Sequence, residues 1–207
     1  MSPIITHEDE LELAKIEKHL ASEIKNLADW QRTIKNIEMK LADNLSKMNI
    51  ARQVLNQSFR EAFNQMQTLA REHRSNVGDE EIKQYEDIIH ANDSYLANVN
   101  EYVNAIKNLA IRKEDLAIRK ETFAEALKNV AEKRSVLIKK ALSLEKTKNK
   151  LIEGEKLTTL ENDLNDSQRE FDRARDILLK ETDLFLQTKS EINKLWMDLK
   201  NSIKEMS

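Results

Sequence analysis

Residues 157–206 read LTTLENDLNDSQREFDRARDILLKETDLFLQTKSEINKLWMDLKNSIKEM, and within them Leu157, Leu164, Phe171, Leu178, Phe185, Ile192, Leu199 and Met206 stand seven apart. An apolar residue at every seventh position over eight sites is the 3.5-residue period of a helix that packs along its whole length against other helices. Leu160, Ala174, Leu195 and Ile203 partly fill a second seam position, and polar residues hold the rest of it.

The same grammar extends to the rest of the chain. Among 207 residues there are two glycines, Gly78 and Gly154, and one proline, Pro3. So little turn-forming material rules out a sheet protein and divides the chain into three long helices. Thr6 with Asp9 has capping spacing, and Glu8 and Glu10 add acids at a helix start. Asn76-Val77-Gly78 before Asp79-Glu80-Glu81 reads as a turn followed by a new cap. Glu153-Gly154-Glu155, with Thr158 and Glu161 beyond it, reads as the second turn. Helix one is therefore expected over about 7–75, helix two over about 79–152 and helix three over about 155–206, all within one domain spanning 1–207.

Helix one carries Leu13, Ile16, Leu20, Ile24, Leu27, Ile34, Ile37, Leu41, Leu45, Met48, Leu55, Phe59, Phe63, Met66 and Leu69 at mostly three-and-four spacing, an amphipathic pattern throughout. In helix two, Ile82, Ile89, Leu96 and Val103 hold one heptad phase, and Leu109, Leu116, Phe123, Val130, Leu137, Leu144 and Leu151 another. The step of six between them predicts a bend or a change of neighbours near residues 103–109. Helices of this length run to about 75–110 Å at 1.5 Å per residue, and three such rods leave apolar stripe uncovered. The expected fold is all-α: an elongated antiparallel three-helix coiled-coil bundle that dimerises. Spectrin-like repeats would need a break about every 30 residues, and no Gly, Pro or Ser/Asn cluster supplies one.

Much chemistry is missing. The glycines are too far apart for either phosphate-cradling loop. His7, His19, His73 and His90 never fall at i,i+3 or i,i+4 of one another, and the single Asp87–His90 pair lacks the second copy that a di-metal bundle uses. With no cysteine there is neither a disulfide framework nor a thiolate metal site, which fits a reducing compartment. Trp30 and Trp196 lack the interleaved arginines of a nucleic-acid stacking platform and read as packing residues. We expect no enzyme activity, no cofactor, no metal and no nucleic acid. No apolar run approaches the 18 or so residues of a membrane span, and Met1 to Thr6 is too short for a signal sequence. A soluble, cytoplasmic protein is expected.

Charge is the feature that stands out. Residues 110–150 hold twelve Lys and Arg against six Asp and Glu, a net +6 in a chain of net −3. Ala110-Ile111-Arg112-Lys113-Glu114-Asp115-Leu116 recurs as Ala117-Ile118-Arg119-Lys120-Glu121-Thr122-Phe123, stacking Arg-Lys doublets one heptad apart, and Lys133, Arg134 and Lys140 continue those positions. Against the competing reading, a solvated face with internal ion pairs, stands a polyanion surface. Groove-reading and stacking elements for DNA are lacking, whereas anionic lipid gains about 1 kcal/mol from each Lys or Arg near the surface. The expected lipid-binding residues are Arg112, Lys113, Arg119, Lys120, Lys133, Arg134, Lys139 and Lys140, with Lys146, Lys148, Lys150 and Lys156 at the bundle tip.

This layout resembles the BAR domains, and among them those of the sorting nexins (PX-BAR type). The resemblance covers the whole chain and rests on three long helices of one coiled-coil bundle, the basic outer half of helix two, a tip near Gly154, Ile88-Ile89-His90-Ala91-Asn92-Asp93-Ser94-Tyr95-Leu96 and Ile192-Asn193-Lys194-Leu195-Trp196-Met197-Asp198-Leu199. It implies a crescent-shaped antiparallel dimer, of identical or related BAR chains. The concave basic face of that dimer would sense or impose curvature on anionic, phosphoinositide-bearing endosomal membranes in protein sorting and transport. It also implies an upstream phosphoinositide-binding PX domain, to which nothing in these residues corresponds. Met1 to Thr6 offers no amphipathic wedge, so binding by this chain is expected to be electrostatic. The alternative function is a coiled-coil adaptor or tether that binds proteins and not lipid.

Overall fold

A computed structural model describes residues 6–73, 79–145 and 151–205. It contains three helices packed against one another, α1 (His7–His73), α2 (Asp79–Glu145) and α3 (Leu151–Glu205), and no strand among the described residues. The start of α1 is the cap that the sequence indicates. The Thr6 backbone N–H donates to Asp9 Oδ2 at 2.9 Å, and the Asp9 N–H donates to Thr6 Oγ1 at 3.2 Å. The Thr6 hydroxyl, which donates to Asp9 Oδ2 at 2.7 Å, and the Thr6 N–H hold the Asp9 carboxyl below the usual range. The Gly78 turn lies outside the described residues.

The second turn differs from expectation. Helix α3 is already formed at Leu151, so Gly154 sits inside its first turn, and Thr158 and Glu161 lie within the helix and not at its start. A helical glycine costs only about 1 kcal/mol relative to alanine, less than a long helix recovers from packing.

The chain divides into two compact units, each drawing on all three helices. The first combines Met1–Ile34 of the chain with Arg112–Phe185. Its core is built from alanines. Ala14, Ala21 and Ala28 of α1 and Ala117, Ala124 and Ala131 of α2 are buried, together with Leu116, Leu127, Val130 and Ile138 of α2 and Ala174 of α3. Leu127 lies at the centre, in one cluster with Ala21 and Ala124, against which Ile24 and Phe171 pack. Phe171 in turn sits 5.0 Å from Phe123, ring centre to ring centre. Small side chains at these positions let the helices approach closely.

The second unit combines Lys35–Ile111 with Leu186–Ser207. Here Ala42 and Leu45 of α1, Val99, Val103 and Ile106 of α2, and Leu199 of α3 form the core, and Tyr102 packs on Trp196 at 5.5 Å. Asn98 donates to Ser202 Oγ, whose own hydroxyl donates to Asp198 O at 3.1 Å. Ser202 therefore takes the seam position assigned to Ile203, which is exposed. Away from α3, the α1–α2 contact turns polar: Asn56 and Arg60 both donate to Asp93, and Phe63 meets Tyr85 at 5.9 Å.

The six-residue step in α2 produces no change of neighbours, because α1 and α3 flank it in both units. Leu96, Val103, Ala110, Ala117, Ala124, Ala131 and Ile138 are seven apart and all buried. Alanine continues the first heptad phase, while the column buried beside it changes from Val99 and Ile106 before the step to Leu109, Leu116 and Val130 after it, with Lys113 and Lys120 half-buried where the Val99 column continues.

Candidate functional site

The Arg-Lys doublets do not form one free stripe. Lys113, Lys120 and Arg134 share the heptad position of Leu127, the residue at the centre of the first unit's core, so their side chains are directed at the packed face of α2. Arg134 is half-buried and donates to Glu17 of α1 at 2.7 Å. Lys113 is likewise half-buried. Lys120 is half-buried with no ion-pair partner among the described residues, and burial pulls its pKa below the usual lysine range. A charge placed there opposes folding. Lys120→Leu, copying the Leu127 site, is expected to stabilise the protein by about 1 kcal/mol, read as a higher denaturant midpoint; a lower midpoint would contradict the placement.

The other members lie at the edge facing α3 or outward. Arg112 stands 3.6 Å from Glu181 of α3, an ion pair too long for a hydrogen bond, and 3.8 Å from Asp115. Lys133 donates to Asp163 at 3.0 Å. Lys140 is half-buried, whereas Arg119, Lys139 and Lys156 are exposed and have no partner among the described residues. Lys146, Lys148 and Lys150 lie outside the described residues. The basic residues described between 112 and 140 therefore face acidic neighbours: residues 7–34 hold four Lys and Arg against seven Asp and Glu, and residues 156–185 hold five against eight. Part of the basic run is the electrostatic complement of α1 and α3.

One residue that the sequence reading missed organises this unit. Arg32 of α1 donates through Nη2 to Glu121 at 2.7 Å and through Nε to Glu114 at 3.1 Å. The two glutamates occupy the same place in the tandem repeat, so the repeat that stacks the doublets also stacks two acceptors for one guanidinium. Their own seven-residue spacing was the available signal. The Arg32 bonds lower the Glu121 pKa and raise that of Arg32 itself. A carboxyl whose folded pKa is depressed stabilises the fold above its unfolded pKa of about 4.3, and that contribution disappears as pH falls through the folded value. Thermal melts from pH 5 to 3 are expected to fall more steeply for the wild type than for Arg32→Met; parallel slopes would contradict the linkage.

The largest uncovered feature is apolar. On α1, Leu13, Leu20, Leu27 and Ile34 in the first unit and Leu41, Met48 and Leu55 in the second hold one heptad position, and all are exposed. Beside them Ile16, Trp30 and Ile37 are also exposed, Trp30 at 67%. Soluble proteins rarely leave contiguous apolar surface of this kind without a partner. In the second unit Leu41, Leu45 and Met48 of α1 meet Tyr102 of α2 and Trp196 of α3 around a cavity of about 380 Å³.

Asp87 and His90 are both exposed, and no group of three or more His, Cys, Asp or Glu side chains suited to a metal converges among the described residues. No described helix is long and apolar enough to cross a membrane. Comparison with protein-family models and with curated proteins finds no match to this chain.

Proposed function

We propose that the chain is a self-pairing helical scaffold that lies on anionic membrane surfaces, in the manner of the sorting-nexin BAR domains it resembles, and acts in endosomal sorting. The observation that carries this reading is the row of exposed leucines on α1, which needs a second long helical surface to cover it. Pairing also doubles the exposed cations offered to lipid. Arg119 and Lys139 on the outward half of α2 and Lys156 on α3 are the residues best placed to meet headgroups, since they are exposed and unpaired among the described residues.

A second reading, a coiled-coil adaptor without direct lipid contact, draws support from the ion pairs of Arg112, Lys133 and Arg134, which neutralise those charges inside the protomer. Co-sedimentation with anionic and neutral vesicles at low and high salt separates the two. The wild type is expected on anionic vesicles only, with binding that weakens as salt screens the charges. Arg119→Glu, Lys139→Glu and Lys156→Glu combined are expected to lower partitioning at least a hundredfold, roughly 1 kcal/mol per lost charge, with helicity intact. Equal recovery of wild type and variant on anionic vesicles would sink the lipid site, and no recovery of either would favour the adaptor. Reversing Lys113, Lys120 or Arg134 would test folding instead, because those side chains face the core.

A further inference from the structure

We infer that the cavity of the second unit is a socket for Trp30 of a second copy of this chain, an inference that rests on the self-pairing reading and specifies its register. Three observations meet at this cavity. Its walls are apolar and aromatic, with Leu41 and Met48 of the uncovered leucine row beside Tyr102 and Trp196. Its volume, about 380 Å³, falls in the range that accepts a ring system. Its lining includes a buried acceptor without a donor. Asn49 is 3% exposed and gives its amide hydrogens to Leu96 O at 3.1 Å and Asn100 Oδ1 at 2.8 Å, which leaves Oδ1 without a partner.

An occupant suited to this lining is bulky and apolar, and a hydrogen-bond donor on it would serve Asn49 Oδ1 once that side chain turns toward the cavity. Indole has this description: its Nε1–H donates and it accepts nothing. The chain has two tryptophans. Trp196 is already part of the socket wall, whereas Trp30, the more exposed of the two at 67% against 47%, stands away from the cavity on the same helix that bears the leucine row.

The position of the socket fixes the direction in which two α1 helices pair. A parallel two-fold pair is in register, so it would set Trp30 on Trp30, about 16 Å along the helix from Leu41 and the cavity. It would also set Glu23, in the same heptad position as Ile16, Trp30 and Ile37, against its own copy across the seam. An antiparallel pair avoids both. In that arrangement one register places Trp30 opposite Leu41, Ile37 opposite Ile34, Ile16 opposite Leu55 and Leu20 opposite Ala51, each contact occurring twice by the two-fold symmetry. Moving one heptad further sets Ile16 against Ala62 and Leu20 against Ser58, which gives up most of both contacts. Glu23 meets an apolar residue in either register, Met48 or Leu55, so the choice rests on Ile16 and Leu20. Moving one heptad back takes Trp30 off the cavity and shortens the overlap of the two helices.

The absence of cysteine makes the test clean. Trp30→Cys and Leu41→Cys, placed together in one chain, are expected to give a covalent dimer with a short bismaleimide linker. Trp30→Cys alone is expected to give none, because the two Trp30 sites of an antiparallel pair lie about 16 Å apart along the helix. Sedimentation equilibrium is expected to show the dimer weakened about thirtyfold or more by Trp30→Ala, the scale of an aromatic anchor. Trp30→Phe, which keeps the ring and lacks the donor, should weaken it about tenfold. Trp30 and Leu41 are exposed in the protomer, so circular dichroism should show unchanged helicity in every variant. Self-linking of Trp30→Cys alone, or no link in the double variant while the sample sediments as a dimer, would overturn the socket and leave self-pairing standing. A wild type that sediments as a monomer would overturn both.

Discussion

Val130→Asp is expected to unfold the first unit. Val130 is the largest fully buried side chain among the described residues, at 2% exposure, and it lies in the α2 seam between Ala131 and the half-buried Phe123. An aspartate there has no cation positioned to receive it, because Arg134 is committed to Glu17 and Arg32 to Glu114 and Glu121. Loss of the buried side chain and desolvation of an unpaired carboxylate act in the same direction, for a total of about 4 kcal/mol, a large part of the stability of a marginal domain. Loss of ellipticity at 222 nm, or of the cooperative melt, at neutral pH is the expected readout. A melt within a few degrees of the wild type would mean that this face of α2 is not the core.

Ile37→Glu is expected to have the opposite profile, a protomer that folds and a dimer that does not form. Ile37 is 61% exposed on α1, so the protomer loses little when it is replaced, and glutamate is a good helix former. In a two-fold pair the substitution enters the seam twice and puts an acid against an isoleucine each time. The dissociation constant is expected to rise at least a hundredfold, about 2.7 kcal/mol or more. Analytical ultracentrifugation alongside circular dichroism separates the effects; an unchanged dimer would remove α1 from the interface.

The contrast between these two sites also shows where sequence reasoning stopped. Large apolar residues at heptad spacing were legible, and with the near absence of glycine and proline they indicated three helices. What they could not show is which apolar column faces inward. Ala14, Ala21, Ala28 and Ala42 on α1, and Ala110, Ala117, Ala124 and Ala131 on α2, carry little hydrophobic signal, yet they form the inner column because close helix packing selects small side chains. The leucines of α1 stand beside that column and remain exposed. The alanines also carry one buried column of α2 through the six-residue step, so only the column beside it changes there.

The same limit applies to sorting the basic residues. Counting charge between 110 and 150 treats every lysine and arginine as available, whereas the heptad position decides its environment. Lys113, Lys120 and Arg134 align with Leu127, a placement that was readable once Leu127 was recognised as core. Arg112 and Lys133 face acids of α3, which only the packing of the helices brings near. Arg119, Lys139 and Lys156 are the part of the expected lipid surface that remains exposed and unpaired among the described residues.

The measurement that tests the account most directly is sedimentation equilibrium of the unmodified chain from submicromolar to tens of micromolar, with helicity followed on the same samples. A fully helical species that fits a monomer–dimer equilibrium, or a dimer throughout, is the predicted result. A chain that stays monomeric and fully helical across that range would show that the leucine row of α1 needs no second copy to cover it, and would contradict the scaffold reading at its base.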